Sequence, residues 1–336
     1  MRFRLPSFLS PFLLLLIALP LVATVLPARG GAADALDHLT IVAVCLLFFL
    51  HGAKLTPSDA RAGFTRWQFQ LVVLACTFVV FPLLGIAITL LPTSVLSPMM
   101  ATGFLFLAVL PSTVQSSIAF TSIARGNVAL AVSSASISNV LGVVLTPLLA
   151  GMLLGSSVQI TPRSLLGIVG ELVVPFVAGQ LLHRRLRGFL SRHRRLVSFV
   201  DQGSVLLVVY AAFSIGVTQG LWTAVPPTEL LVVIAVSIVL LAVVLDLFFG
   251  LGRVMRLARE DAIVLLFCGS KKSQVSGLPM ATLLFPAAQV GMYVLPLMIF
   301  HIIQLMVCAV LANRFAQQVP DDDVAAEDVR AVPAKA

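Results

Sequence analysis

The chain has 336 residues, of which 59% are hydrophobic and 11% are charged, and its mean hydropathy is +1.07. A soluble domain of this length is far less apolar, so the composition excludes a soluble protein and predicts an all-α integral membrane protein. The net charge of +8 is expected in loops that face anionic lipid headgroups. We therefore expect the lipid bilayer, and no nucleic acid, as a partner.

Ten apolar runs of about 20 residues, the length at which a helix crosses the hydrocarbon core, follow one another along the chain. Their connections are short, so residues 1–316 are predicted to form one transmembrane unit without a soluble domain. Residues 317–336 are acidic and rich in small side chains, which is typical of a disordered tail. The predicted spans one to ten cover residues 8–26, 36–53, 68–91, 98–124, 127–154, 164–183, 199–219, 229–252, 261–285 and 289–313.

The distribution of basic residues predicts the orientation, because Lys and Arg in short loops stay cytoplasmic. With a cytoplasmic N-terminus, most of the 22 Lys and Arg residues lie on the cytoplasmic side, and only Arg29 and Arg163 lie opposite. The basic cluster at 183–195 is then a cytoplasmic loop. The N-terminal segment also resembles a signal peptide, but its removal would disturb this charge pattern, so we assign it to span one. We expect a multi-pass protein of a bacterial-type inner (plasma) membrane with both termini cytoplasmic.

Internal symmetry emerges when the chain is shifted by about 157 residues, which places spans one to five on spans six to ten. Since five is odd, the second half would cross the membrane in the opposite direction. This pattern predicts an inverted-topology repeat of the kind found in secondary transporters. Repeat one covers about residues 8–154, and repeat two covers about residues 164–313.

Polar residues interrupt two predicted spans at equivalent places in the repeats. Span four contains FLAVLPSTVQSSIAFTSIA at 106–124, and span nine contains FCGSKKSQVSGLP at 267–279. Broken helices occur in membranes where they line a cavity, so this pair indicates a transport site. The alternative is that small polar residues only pack helices together. The predicted helix-breaking residues are Pro111, Gly269, Gly277 and Pro279, and the candidate substrate-binding or ion-binding residues in the two spans are Thr113, Gln115, Ser116, Ser117, Ser270, Lys271, Lys272, Ser273 and Gln274.

Three segments carry a resemblance to a known family: LPSTVQSS, ARGNVALAVSSASISNVLGVVLTPLL and GSKKSQVSGLPMATLLF. They resemble the bile acid:sodium symporter family, and within it the sodium/bile-acid-cotransporter-like branch of bacterial members and their eukaryotic relatives. The resemblance extends over residues 8–315. It implies a panel domain of spans one, two, six and seven and a core domain of spans three to five and eight to ten. It also implies that spans four and nine cross at their breaks.

The resemblance also identifies positions that hold sodium in members with two sodium sites. Ser116 and Ser117 fall at or next to a Ser-Asn pair in span four. Ala131 and Ala135 fall at a Ser and Thr pair in span five, and Thr77 falls at a glutamine in span three. Most of the family's oxygen ligands in these spans are therefore replaced, although Thr77 stays a candidate ion-binding residue.

In span nine, the resemblance places Gln274 at a glutamine ligand but Ser270 at a glutamate, and Lys271 and Lys272 follow. Sodium requires oxygen ligands and negative charge, whereas an ammonium repels it. We expect no firm metal site, although a residual sodium site at Ser116, Ser117 and Gln274 stays open.

The lysine pair needs its own explanation, because a lysine at a helix centre costs about 2.5–3.5 kcal/mol. We hypothesise that Lys272 replaces the coupling cation. The alternative is that Lys271 and Lys272 are both solvated by a deep cytoplasmic vestibule and touch no substrate. A lysine can also exchange a proton, so proton coupling is the leading alternative to sodium coupling.

The paired breaks and the resemblance predict a secondary-active transporter that moves a small organic anion by alternating access, with lost or altered sodium coupling and without a cofactor. Lysines and helix N-termini favour an anion without selecting one. A rival hypothesis is an intramembrane enzyme with a Ser-Lys dyad formed by Ser270, Ser273 or Ser276. A channel or a sensor is a third hypothesis. The repeat favours the transporter, because catalysis does not require it.

Three further polar residues at membrane depth are candidates for a cavity role, namely Glu171, Asp246 and His301. Each has a plain structural alternative; Asp246, for example, could pair with Arg253. His51 and His183 lie near predicted membrane edges, where we expect solvated side chains.

Overall fold

The computed structural model describes residues 11–54, 66–155, 167, 169–220 and 225–318. All regular elements in these ranges are helices of the α, π or 3-10 type, which confirms the all-helical class. Six of the described helices are long and apolar enough to cross a membrane, as judged by length and composition. The predicted tail falls almost entirely outside these ranges, since only Gln317 and Gln318 of it are described.

Two helices of the first half begin at a side-chain cap. Ser97 caps α4 by accepting from the Met100 backbone N–H at 3.3 Å, and Asn127 caps α6 by accepting from the Leu130 N–H at 3.0 Å. These helices are α1 (Pro11–Val25), α2 (Gly31–Lys54), α3 (Trp67–Thr89), α4 (Pro98–Val109), α5 (Gln115–Ile123) and α6 (Val128–Leu153).

The second half begins with a π-helical turn, Val169–Val173, that runs directly into the next helix. A 3-10 turn, Ala287–Gln289, precedes the last helix. The helices are α7 (Val174–Arg192), α8 (Arg194–Thr218), α9 (Pro227–Val254), α10 (Arg259–Gly269), α11 (Gln274–Leu284) and α12 (Val290–Gln317).

The six membrane-length helices are α2, α3, α6, α8, α9 and α12, and they coincide with predicted spans two, three, five, seven, eight and ten. Spans four and nine are each divided into two short helices, so neither half reaches membrane length. In span one, the shorter apolar helix covers Leu14–Val25. The arrangement of ten spans in an inverted repeat stays a prediction.

The basic cluster predicted as a loop is helical. Helix α7 continues through Arg192, and α8 starts at Arg194. Arg and Leu are good helix formers, and the cluster alternates them, so the helix continues beyond the apolar segment. The side chain of His183, which was expected to be solvated, is buried, and its Nδ1 lies 2.7 Å from the Ala53 carbonyl oxygen.

Two glycines fix the close approach of α2 and α7. A Cβ on Gly52 would lie 2.0 Å from the Phe176 carbonyl oxygen, and a Cβ on Gly179 would lie 2.0 Å from the Phe49 carbonyl oxygen. Backbone atoms cannot rotate away as side chains can, so only glycine fits at both positions. Helix α8 packs against α2 and α1 packs against α8, while α4 packs between α3 and α12.

The two interrupted helices break at residues 110–114 and 270–273. Pro111 lies in the first break, and Gly269 is the last residue of α10. Gly277 and Pro279, which were predicted to break span nine, lie inside α11 instead. The Ser273 side chain caps α11 ahead of them, and Gly277 serves packing: a Cβ there would lie 2.4 Å from Leu110 Cδ1.

Candidate substrate site at two helix breaks

The two breaks contact each other through their backbones. The Ser273 N–H donates to the Pro111 carbonyl oxygen at 2.8 Å. The carbonyls of residues 108–112, at the end of α4 and in its break, each accept a hydrogen bond from outside the helix. The donors are Lys272 Nζ to Ala108 and Leu110, Thr146 Oγ1 to Val109, the Ser273 N–H to Pro111, and Asn139 Nδ2 to Ser112.

The Lys272 ammonium forms the centre of this arrangement. Its side chain is fully buried, and Nζ donates to the carbonyl oxygens of Thr77, Ala108 and Leu110 at 2.7, 2.7 and 2.8 Å. It also lies 4.1 Å from the centroid of the Phe81 ring. Three acceptors match the three N–H groups of an ammonium, and the end of α4 adds the negative pole of a helix dipole.

The Thr77 carbonyl is available because α3 contains a π-helical turn at Cys76–Val80. In this turn the Phe81 N–H donates to Cys76 instead of Thr77. The next residue, Pro82, has no N–H to offer. The Thr77 carbonyl therefore has no donor within its own helix, and it accepts from Lys272 Nζ instead. Thr77 belongs to the site through its backbone, while its hydroxyl bonds to Val73 of its own helix.

Lys271 has entirely different surroundings. It is also fully buried, but its Nζ makes no hydrogen bond to any described residue. Instead it lies 3.9 Å from the centroid of the Phe120 ring and 5.9 Å from that of Phe267. The adjacent lysines thus differ sharply, since one ammonium has three carbonyl acceptors and the other lies over aromatic rings without an acceptor among the described residues.

Two amide side chains fasten the breaks to the neighbouring long helices. Gln304 of α12 accepts from the Lys272 N–H at 3.1 Å and donates to the Lys272 carbonyl at 2.9 Å. Its amide thus satisfies both backbone groups of Lys272. Asn139 of α6 donates to the Ser112 carbonyl and accepts from Ser276 Oγ at 2.9 Å, so it connects both breaks. Neither residue was singled out from sequence, although a lone amide in an apolar span is a usable signal.

A cavity of about 440 Å³ opens beside the two breaks. The first turns of α5 and α11 line it, and Val114 before α5 forms no side-chain cap. The first N–H groups of α5 therefore lack a capping side chain, whereas in α11 the Ser276 N–H donates to the Ser273 hydroxyl. The predicted residues that line it are Thr113, Gln115, Ser116, Ser273 and His301, and they are joined by Asn139 and Ser276.

An ionic cluster, formed by Asp201, Lys54 and His51, lies at the wall of this cavity. Asp201 of α8 is buried, and its Oδ2 accepts from Lys54 Nζ at 2.6 Å and from Gln115 Nε2 at 3.1 Å. His51 Nε2 lies 3.7 Å from Asp201 Oδ1. Sequence reasoning missed Asp201, although an acid inside predicted span seven is a signal of function. His51, which was expected at a membrane edge, lines the cavity.

Other predicted site residues do not line the cavity. Ser117 is buried and donates to the Phe267 carbonyl at 3.0 Å, which joins α5 to α10. The Ser270 hydroxyl bonds to Leu266 of its own helix. Gln274 is buried, and its amide has no hydrogen-bond partner among the described residues. The hydroxyls of Ser116 and Ser117 both bond to Thr113, and a residual sodium site there stays a prediction.

The two acidic candidates lie away from this cavity. Glu171 belongs to the π-helical turn before α7. Asp246 lines a separate apolar groove between α9 and α12. Its expected partner Arg253 instead places its guanidinium carbon 4.3 Å from the Phe249 ring centroid.

The geometry does not favour a Ser-Lys dyad. The hydrogen bonds of Lys272 Nζ all go to carbonyl oxygens, and Lys271 Nζ has no serine hydroxyl within hydrogen-bond distance among the described residues. A dyad requires the amine to accept the serine proton directly. A polar cavity at two broken helices, inside a bundle of apolar membrane-length helices, is instead the mark of a membrane transport protein.

Comparison with known proteins agrees with this class. Residues 10–317 match the family described as the SBF-like CPA transporter family. The chain belongs to this family, and the resemblance to bile acid:sodium symporters is confirmed. It is a multi-pass membrane transporter of the bile acid:sodium symporter type.

The sequence similarity to three relatives covers 84–96% of the chain. The protein PA2026 of Pseudomonas aeruginosa is 50% identical over 325 residues, which cover 96% of this chain and 97% of the relative. YfeH of Escherichia coli (strain K12), which is named as a symporter, is 46% identical over 94% of this chain and 95% of its own length. The sodium/bile acid cotransporter 7 of Danio rerio is 26% identical over 84% of this chain and 85% of its own length.

Proposed function

We propose that this protein is a secondary-active transporter of a small organic anion, which it binds in the cavity beside the two helix breaks. The observation that carries this proposal is the convergence of the α5 and α11 N-termini on one cavity. Helix N-termini offer free N–H groups and a positive dipole end, which favour an anion. The hydroxyls of Thr113, Ser116, Ser273 and Ser276 also line this space, and those of Ser273 and Ser276 already donate to other side chains.

Lys271 supplies the countercharge for this anion. It has no hydrogen-bond acceptor among the described residues, and Phe120, on which its ammonium lies, also lines the cavity. One aromatic ring therefore stands between an unpaired cation and the substrate space. An ammonium in the membrane interior gains from any anion that approaches it. This residue is the reason for favouring an anion over a neutral solute.

Lys272 takes the role of the coupling cation, in contrast to sodium-dependent relatives. Its Nζ donates to three carbonyl oxygens, which are then not available as ligands for a sodium ion. The positions that resemblance assigns to sodium ligands in span five are Ala131 and Ala135, which offer no side-chain oxygen. We therefore expect transport that does not depend on sodium, and a proton is the remaining candidate for a coupling ion.

The site lies between two sets of helices, as alternating access requires. Helices α1, α2 and α8 contribute Phe12, His51 and Asp201 to the cavity wall, and the broken helices contribute the opposite side. The Gln115–Asp201 hydrogen bond joins the two sides and must open when they separate. We place the protein in a bacterial-type inner membrane with cytoplasmic termini, as the basic residues favour.

The test begins with the purified protein and a thermal-shift screen of organic anions, because a ligand of the folded state raises the apparent stability. The best anion is then followed as a radiolabelled solute in liposomes. Saturable uptake that persists when N-methylglucamine replaces sodium, and that is lost in Lys271→Met, supports the proposal. Unsaturable flux would indicate a channel, and uptake that collapses without sodium would refute the role of Lys272.

A further inference from the structure

A second cavity lies between α9 and α12. It measures about 810 Å³, and Leu266 of α10 forms part of its wall. Its lining is apolar apart from Asp246, Arg314 and Gln318. Ile238 and Met306 in this wall are 51% and 49% exposed, although both belong to membrane-length helices. The groove therefore opens toward the hydrocarbon of the bilayer and suits an acyl chain.

One end of this groove is strongly basic. Arg314 lines it directly. Arg253 stacks on Phe249, and Arg259 donates to the Phe315 carbonyl at 2.6 Å; both phenylalanines belong to the groove wall. The Arg259–Phe315 hydrogen bond shows that the C-terminal ends of α9 and α12 lie close together, because Arg259 begins the helix that follows α9. Three guanidinium groups thus collect where a lipid headgroup would lie.

We propose that this groove binds an anionic phospholipid, with the phosphate against Arg314 and an acyl chain along the apolar wall. Basic pockets between membrane helices attract anionic headgroups through charge, and the groove adds apolar surface for the chain. The site is independent of the transport cavity, because the two share no lining residue.

Asp246 defines how deep the headgroup can lie. It is exposed in the groove wall and forms no ion pair among the described residues. It precedes the end of α9 by eight residues, or about 12 Å at 1.5 Å per residue. A carboxylate repels a phosphate, so the headgroup stays at the Arg314 end. Asp246 therefore repels an anionic lipid, whereas Arg314 attracts it.

The experiment is native mass spectrometry of the full-length protein with phosphatidylglycerol or phosphatidylcholine of identical acyl chains. We expect phosphatidylglycerol to bind more tightly to the wild type. Arg314→Gln should weaken its binding about fivefold, since one basic residue near a membrane surface contributes about 1 kcal/mol. Asp246→Asn should strengthen it. Neither substitution should change phosphatidylcholine binding.

The matched control is Arg192→Gln, which removes an exposed arginine from another helix end that lines neither cavity. It should leave phosphatidylglycerol binding unchanged. Equal binding of the two lipids by the wild type would overturn the proposal. So would equal losses in Arg314→Gln and Arg192→Gln, because binding would then follow total charge and not this groove. Transport is not measured, so the result does not depend on the proposed function.

Discussion

Replacing each of the adjacent lysines by methionine should change stability in opposite directions. Lys272→Met removes three charge-assisted hydrogen bonds, worth about 1.5–3 kcal/mol each, and leaves three buried carbonyls unpaired. It also relieves the cost of an ammonium in the membrane interior, about 2.5–3.5 kcal/mol. The difference is a net loss of about 1–6.5 kcal/mol in the free energy of unfolding.

Lys271→Met removes no hydrogen bond to any described residue. It loses the contact with the Phe120 ring, worth at most about 2 kcal/mol, and relieves the same cost of about 2.5–3.5 kcal/mol. This variant should therefore be more stable than the wild type by about 1 kcal/mol. Methionine is suitable at both positions because it retains an unbranched side chain of similar length.

The assay is equilibrium unfolding in mixed micelles with increasing sodium dodecyl sulfate, followed by circular dichroism. Both variants and the wild type are measured in the same detergent, so that differences report the substitution alone. Equal destabilisation of the two variants would refute the reasoning, because it would mean that both ammonium groups are paired. A Lys272→Met protein as stable as the wild type would contradict the three-carbonyl site.

Three further outcomes follow from the packing and the breaks. Gly179→Ala should lower stability by about 1–3 kcal/mol or prevent folding, because its Cβ would meet the Phe49 carbonyl at 2.0 Å. Gly188→Ala on the same helix, where no atom lies within 4 Å of the new Cβ, should raise stability by about 0.5–1 kcal/mol in the same unfolding assay. Asn139→Ala should reduce uptake at least tenfold while retaining insertion, since it frees the Ser112 carbonyl; unchanged uptake would make the contact dispensable. A single cysteine at Gly188 should react with impermeant maleimide only from the cytoplasmic side, and external labelling would reverse the predicted orientation.

The locations of the two breaks could be predicted from sequence, because a cluster of polar side chains is costly inside an apolar span unless the helix opens there onto a cavity. Pro111 and the lysine pair lie within or next to the observed breaks for this reason. Gly277 and Pro279 could not be placed correctly, because the Ser273 cap restarts the helix before them. Propensity identifies residues that weaken helices, but the neighbouring helices determine where a helix actually stops.

The different roles of the two lysines were beyond sequence reasoning. Successive residues point in different directions, and an unwound segment has no fixed angle between them. The acceptor at Thr77 lies 195 residues away from Lys272, and it is free only because of a π-helical turn and Pro82. Asp201, in contrast, could have been predicted, because an acidic residue inside a predicted span indicates a functional site.

The attachment of the Lys272 ammonium to the chain limits how the proposed transporter could be driven. A dissociable ion enters from one side of the membrane and leaves on the other, and its downhill passage supplies free energy to the accompanying solute. A tethered ammonium that keeps its proton makes no such net crossing, because it returns with the empty protein. A sodium gradient therefore cannot be used at this position, and a proton gradient can be used there only if Lys272 releases its proton on one side of the membrane and regains it on the other. If Lys272 stays protonated, the solute must follow its own gradient, leave in exchange for another anion, or draw on an ion bound elsewhere.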